Sequence, residues 1–159
     1  MPRFLNRFEE GLAALVLAAM VTLAFVNVLT RYLLHYPLAA SHELIVNAFI
    51  WLTLLGIAIG LREGREGAHI RFVAATEFLP AVVRRAAIAL GFIVTAGLFA
   101  VLAYLSYGQL QDDLMLGMTS PALGWPNWIY TGPTPVLAAW VAVRAVVAAI
   151  AVFRDAEAA

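Results

Sequence analysis

Residues 11–30 have the sequence GLAALVLAAMVTLAFVNVLT, which contains no charged side chain although Glu10 and Arg31 bracket it directly. Such a run of 20 uncharged, mostly apolar residues has the length of a helix that crosses the hydrocarbon core of a bilayer. The run is longer than the apolar region of a secretory signal peptide, and no A-x-A cleavage motif follows it before Arg31. The segment therefore predicts a retained first transmembrane helix.

Three further stretches of the same kind follow along the chain. Residues 44–61 and 86–111 carry no charge, and nothing is charged between Asp113 and Arg144. Because lipid offers no hydrogen-bond partner to the backbone, spans of this length are expected to be helical. The sequence predicts an all-α integral membrane protein, a single membrane domain over 1–159 with four transmembrane helices. Their expected positions are approximately 11–33, 43–62, 80–111 and 128–153.

Composition excludes several classes of protein. Hydrophobic residues make up 64% of the 159 positions and charged residues 13%, and the mean hydropathy is +0.89. A soluble domain is typically about 45–50% apolar and about 25% charged, so a water-soluble enzyme, a disordered chain and a nucleic-acid binder are all excluded. The chain has no cysteine, which excludes disulfides and thiolate chemistry.

Arginine placement predicts the orientation in the membrane. All ten cationic residues are arginines, and Arg31 alone follows the first span on its far side. Arginines concentrate on the cytoplasmic side of membrane proteins, so both termini and the connection between the second and third helices are predicted to be cytoplasmic. The nine arginines assigned to that side are Arg3, Arg7, Arg62, Arg65, Arg71, Arg84, Arg85, Arg144 and Arg154.

The cytoplasmic connection also has an amphipathic part. Ile70, Val73, Ala74 and Phe78 fall on one helical face, which predicts a short helix lying along the membrane surface. Pro80 is well placed to open the third helix.

Chemical groups that would support catalysis or transport are scarce. The three histidines, His35, His42 and His69, belong to the predicted connections, and no nucleophile motif, phosphate loop or metal-ligand spacing occurs. The first three spans have no charged residue between their flanking charges, so Arg144, toward the cytoplasmic half of the fourth span, is the single candidate for a charge deep in a helix. These features predict a protein that is not an enzyme and that has a supporting role in a membrane complex.

Polar side chains at helical spacing mark a candidate interface at the outer ends of the first two helices. Asn27 and Arg31 lie one turn apart, and Glu43, Asn47 and Trp51 form an i, i+4, i+8 stripe. The stripe suits either a partner or packing within the bundle, and both alternatives stay open. Because a short loop joins the helix ends, we expect Arg31 and Glu43 to form an ion pair, with Asn27 in the same cluster.

Two glycines on the second helix add a second candidate packing feature. Gly56 and Gly60 form a G-x-x-x-G motif, which permits close approach of another helix in a membrane.

Several short motifs follow one another along the chain. The first helix closes on Asn27-Val28-Leu29-Thr30-Arg31-Tyr32, an N-V-x-x-R-Y pattern. The later motifs are Glu43-Leu44, Phe49-Ile50-Trp51-Leu52, Leu55-Gly56, Arg62-Glu63, His69-Ile70, Thr119-Ser120-Pro121-Ala122-Leu123, Pro126-x-Trp128-Ile129-Tyr130 and Val143-Arg144. In this order they resemble one family, the DctQ-like small membrane subunit of tripartite ATP-independent periplasmic (TRAP) transporters.

This resemblance implies a small permease subunit in the bacterial inner membrane that acts as scaffold for a large permease subunit. A periplasmic binding protein would deliver an organic anion, and the large subunit would hold the substrate and sodium sites, with no cofactor in this chain. A membrane anchor subunit of a redox enzyme complex is the alternative, although such an anchor typically places paired histidines inside its helices. The candidate interface residues are Asn27, Arg31, Tyr32, Glu43, Asn47, Trp51, Gly56, Gly60 and Arg144.

Overall fold

The protein is almost entirely helical in its computed structural model, which describes residues 3–35, 39–67 and 80–157. Within these residues, four helical segments are long and apolar enough to cross a membrane, as the sequence predicts. The helices are α1 (Arg3–Leu33), α2 (Ala39–Gly67), α3 (Ala81–Met115), the single turn α4 (Trp128–Thr131) and α5 (Pro133–Glu157).

Most helix ends lie beyond the predicted bounds, because charged residues mark where lipid ends without interrupting a helix. The predicted helix 128–153 is divided at Gly132 into α4 and α5, and α5 continues to Glu157. α1 begins at Arg3 instead of residue 11, so Glu9 lies inside it, and α2 continues to Gly67. α3 begins directly after Pro80, as predicted, but continues to Met115. The amphipathic helix predicted around residues 70–78 lies outside the described residues and stays a prediction.

The four long helices pack as an open row. Extensive packing joins α3 to α5, α5 to α2, and α2 to α1 among the described residues. The apolar core lies where α2, α3 and α5 meet. Its buried members are Leu54 and Ala58 on α2, Phe99 on α3, and Ala138 and Val141 on α5.

A glycine joins the short α4 to the long α5. Gly132 has φ −56° and ψ −43°, a helical conformation, and Pro133 follows it directly. A proline ring normally pushes the preceding residue out of the helical region because the ring meets that residue's Cβ. A Cβ at Gly132 would also lie 2.7 Å from the carbonyl oxygen of Trp128. Only glycine fits this junction without strain.

We therefore expect Gly132→Ala to lower the free energy of unfolding of the purified protein by about 1–3 kcal/mol. Gly97→Ala is the matched control, because a Cβ there meets no atom within 4 Å and Gly97 lies inside a helix. Alanine should stabilise that site by about 0.5–1 kcal/mol. Thermal unfolding in detergent measures both, and equal effects of the two variants would contradict the assigned strain.

Candidate functional site

An ion pair joins the first and last helices of the chain. The Arg144 Nη2 atom on α5 lies 2.6 Å from the Glu9 Oε1 atom on α1, and both side chains are about 95% buried. The Trp140 indole N–H donates to the same Glu9 oxygen at 2.6 Å, and Arg144 also reaches the Asn6 Oδ1 atom at 3.5 Å. We call Asn6, Glu9, Trp140 and Arg144 the inner cluster.

Each member of the inner cluster limits the freedom of the others. The guanidinium carbon of Arg144 lies 5.2 Å from the centre of the Trp140 ring, so the cation rests against an aromatic side chain of its own helix. Arg144 follows Val141, a core residue, by about one helical turn, which places the charges beside apolar side chains. Charges in such surroundings need a partner, and here each has one. The arrangement can hold two helices together in a fixed position.

A second buried polar group lies at the opposite end of the helices. Asp113, in the last turns of α3, has a side chain that is 1% exposed. The Gln109 amide donates to its Oδ1 atom at 3.2 Å, and the Thr131 hydroxyl donates to its Oδ2 atom at 2.8 Å. Because Thr131 belongs to α4, the Asp113 carboxylate ties the end of α3 to the entry of α5.

The loop between α3 and α4 attaches to α2 through one side chain. The Ser120 hydroxyl donates to the Glu43 Oε2 atom at 2.6 Å. Backbone bonds from Ser120 N–H to the Trp125 oxygen (2.7 Å) and from Asn127 N–H to the Met118 oxygen (2.8 Å) fold the loop back on itself. A shallow cleft lies between this loop and α2, lined by His42, Glu43, Val46, Asn47, Pro121 and Ala122.

The predicted Arg31–Glu43 ion pair is wrong. Glu43 is bonded to Ser120, and Arg31 is exposed at the end of α1. Arg144 on α5, not Arg31, forms an ion pair with a carboxylate, that of Glu9. A short loop between two helices does not identify which side chains pair, because Ser120, the partner of Glu43, is 77 positions away along the chain.

The other candidate residues on α1 and α2 are dispersed. Tyr32 is exposed, and the Asn27 carbonyl accepts from the Thr30 hydroxyl within α1. The Asn47 amide donates to the Glu43 backbone carbonyl at 2.9 Å, inside its own helix. Trp51 is half-buried, and its indole nitrogen is enclosed without a hydrogen-bond partner.

The two glycines of the G-x-x-x-G motif lie on α2. Gly56 is exposed, and a Cβ built there meets nothing within 4 Å, so no other helix among the described residues packs against this point. Gly60 is half-buried. The motif is therefore not a crossing point within the bundle at Gly56.

Sequence analysis missed Glu9, Trp140 and Asp113 as members of polar clusters. A signal existed for the first, because an arginine inside an apolar run needs an acidic partner, and Glu9 lies near the same membrane surface. The i, i+4 spacing of Gln109 and Asp113 was a signal for the third.

Comparison with known proteins adds the family to this geometry. The family model for the DctQ component of tripartite ATP-independent periplasmic transporters matches residues 20–155. The chain belongs to the DctQ family. It is accordingly a multi-pass inner-membrane protein and a transporter component, not an enzyme.

Two curated relatives agree with membership of the DctQ family. The ectoine TRAP transporter small permease protein TeaB of Halomonas elongata is 31% identical over 125 residues, which are 79% of this chain and 63% of that protein. The sialic acid TRAP transporter permease protein SiaT of Haemophilus influenzae is 29% identical over 83 residues, 52% of this chain and 13% of that protein. The chain thus matches less than two thirds of the length of each relative.

Proposed function

We propose that this DctQ chain is the fixed scaffold of a TRAP transporter. It binds a large permease subunit that carries the substrate and sodium sites, and a periplasmic binding protein delivers an organic anion to the complex. Family membership and the two relatives support a small permease role in place of a redox-enzyme anchor. The relatives are named for ectoine and for sialic acid, and the substrate of this transporter is set by its binding protein.

The observation that carries the scaffold role is that the buried charged side chains of this chain are bonded to one another or to its other side chains. In the described spans, the buried side chains that carry a charge are Glu9, Asp113 and Arg144. Each is bonded to side chains of this same chain. An ion or substrate path normally exposes such groups to a water-filled cavity. Groups that are already paired favour holding a structure over moving a solute.

Reconstitution tests the proposal. Liposomes that contain this chain alone should show no uptake of the substrate under a sodium gradient, and liposomes with the large subunit alone should show none either. Liposomes that contain both subunits, supplied with loaded binding protein, should accumulate substrate. Uptake by this chain alone would overturn the scaffold role, as would full uptake by the large subunit without it.

A further inference from the structure

The attachment of α1 to the rest of the protein differs from that of the other helices. Among the α1 side chains that the structure describes, Glu9 is the one that is buried. The residues of α1 that face α2 are half-buried at most, and several large apolar side chains of α1 are mostly exposed. The buried anchor of this helix is therefore a carboxylate, not an apolar side chain.

Physical chemistry makes this difference important in a membrane. Lipid tails are as apolar as leucine, so apolar contact between two helices gives little preference for one position over another. A charged hydrogen bond in apolar surroundings is both stronger and directional. The bonds from Arg144 and Trp140 to a single Glu9 oxygen, at 2.6 Å each, therefore fix the inner half of α1 more closely than its contacts with α2 can.

We propose that Glu9, Trp140 and Arg144 form a buried clasp that sets the position of α1 against α5. Residues 9 and 144 are 135 positions apart, so the clasp closes the first helix onto the last. Glu9 precedes the segment matched by the family model, whereas Trp140 and Arg144 lie within it. This consequence rests on the proposed scaffold role: the clasp would hold the exposed face of α1 in one defined position for contact with the large subunit.

A double-mutant cycle on the purified chain tests whether the residues act together. Glu9→Gln and Arg144→Gln should each lower the thermal midpoint by about 5–10 °C, because each leaves a buried charge uncompensated. The double variant should lose clearly less than the sum of the two. The exposed neighbours supply matched controls, Glu10→Gln and Arg7→Gln, which should shift the midpoint far less. Additive losses, or controls that match the variants, would overturn the clasp.

A second experiment separates position from stability. The chain has no cysteine, so two introduced cysteines can be spin-labelled selectively for distance measurement. One pair, at the exposed Leu15 and Ile150, reports on the inner halves of α1 and α5, and a control pair at the exposed Phe25 and Val136 reports on the outer halves. These measurements use the purified subunit without its partner, so their outcome is independent of the transport assay.

The decisive measurement places the same label pairs in the apolar double variant Glu9→Leu/Arg144→Met. Replacing a buried ion pair by apolar side chains can preserve stability, so this variant should remain folded. Its inner-pair distance distribution should broaden relative to the natural pair, while the outer-pair distribution stays narrow. An inner distribution as narrow as that of the unsubstituted chain would show that packing alone positions α1, and the clasp would be wrong.

Discussion

Asp113→Ala is expected to lower the free energy of unfolding by about 2–4 kcal/mol, because it removes the acceptor of two side-chain hydrogen bonds to a charged group. The Gln109 amide and the Thr131 hydroxyl both donate to this carboxylate. Since Thr131 lies on α4, removing the Asp113 carboxylate removes the hydrogen bond that ties the end of α3 to the entry of α5. Thermal and denaturant unfolding of the purified protein measure the effect.

The adjacent acidic residue provides a close control for Asp113. Asp112 lies in the same turn of α3 but is exposed. Asp112→Ala should therefore change the free energy of unfolding by less than about 1 kcal/mol. Asp113→Asn keeps the shape of the side chain and should fall between the two. If Asp112→Ala and Asp113→Ala proved equally harmful, a buried acceptor role for Asp113 would be excluded.

The activity of reporter fusions should alternate between high and absent from one connection between the helices to the next. An even number of spans puts both termini on one side, and nine of ten arginines mark that side as cytoplasmic. Alkaline phosphatase, which is active only outside the cytoplasm, should be active when fused after His35 or Thr119 and inactive after Glu66. A fluorescent protein that matures only in the cytoplasm should give the opposite pattern. Phosphatase activity in the fusion after Glu66 would show that the orientation is the reverse of the predicted one.

The transmembrane helices could be predicted from the sequence because lipid imposes a local rule. An uncharged run of sufficient length must satisfy its own backbone, whatever the rest of the chain does. The ends of the helices follow a weaker rule. A charge shows where the membrane surface lies, but a helix can continue through it into water, as α1 does at its start and α2 does at its end.

Partners of the polar side chains could not be predicted in the same way, because they depend on which helices become neighbours. The sequence predicts that the first span begins after Glu10, but the helix begins at Arg3 and places Glu9 beside Arg144. The short loop between α1 and α2 predicts Arg31 as the partner of Glu43, whereas a loop distant in the sequence supplies Ser120. Sequence indicates that a buried arginine needs an acid, but the order of helices decides which acid it meets.

The open row of helices has a consequence for the surface area of the subunit. A compact soluble monomer of 17.2 kDa would have an accessible surface of about 7,800 Å² by the usual scaling with mass. This chain has 10838 Å². The excess of roughly 3,000 Å² lies on one subunit, and permanently associated subunits bury about 1,000–2,500 Å² on each side. A row of helices thus leaves exposed the area that a closed bundle of the same mass would bury. This area is available for contact with lipid or another subunit.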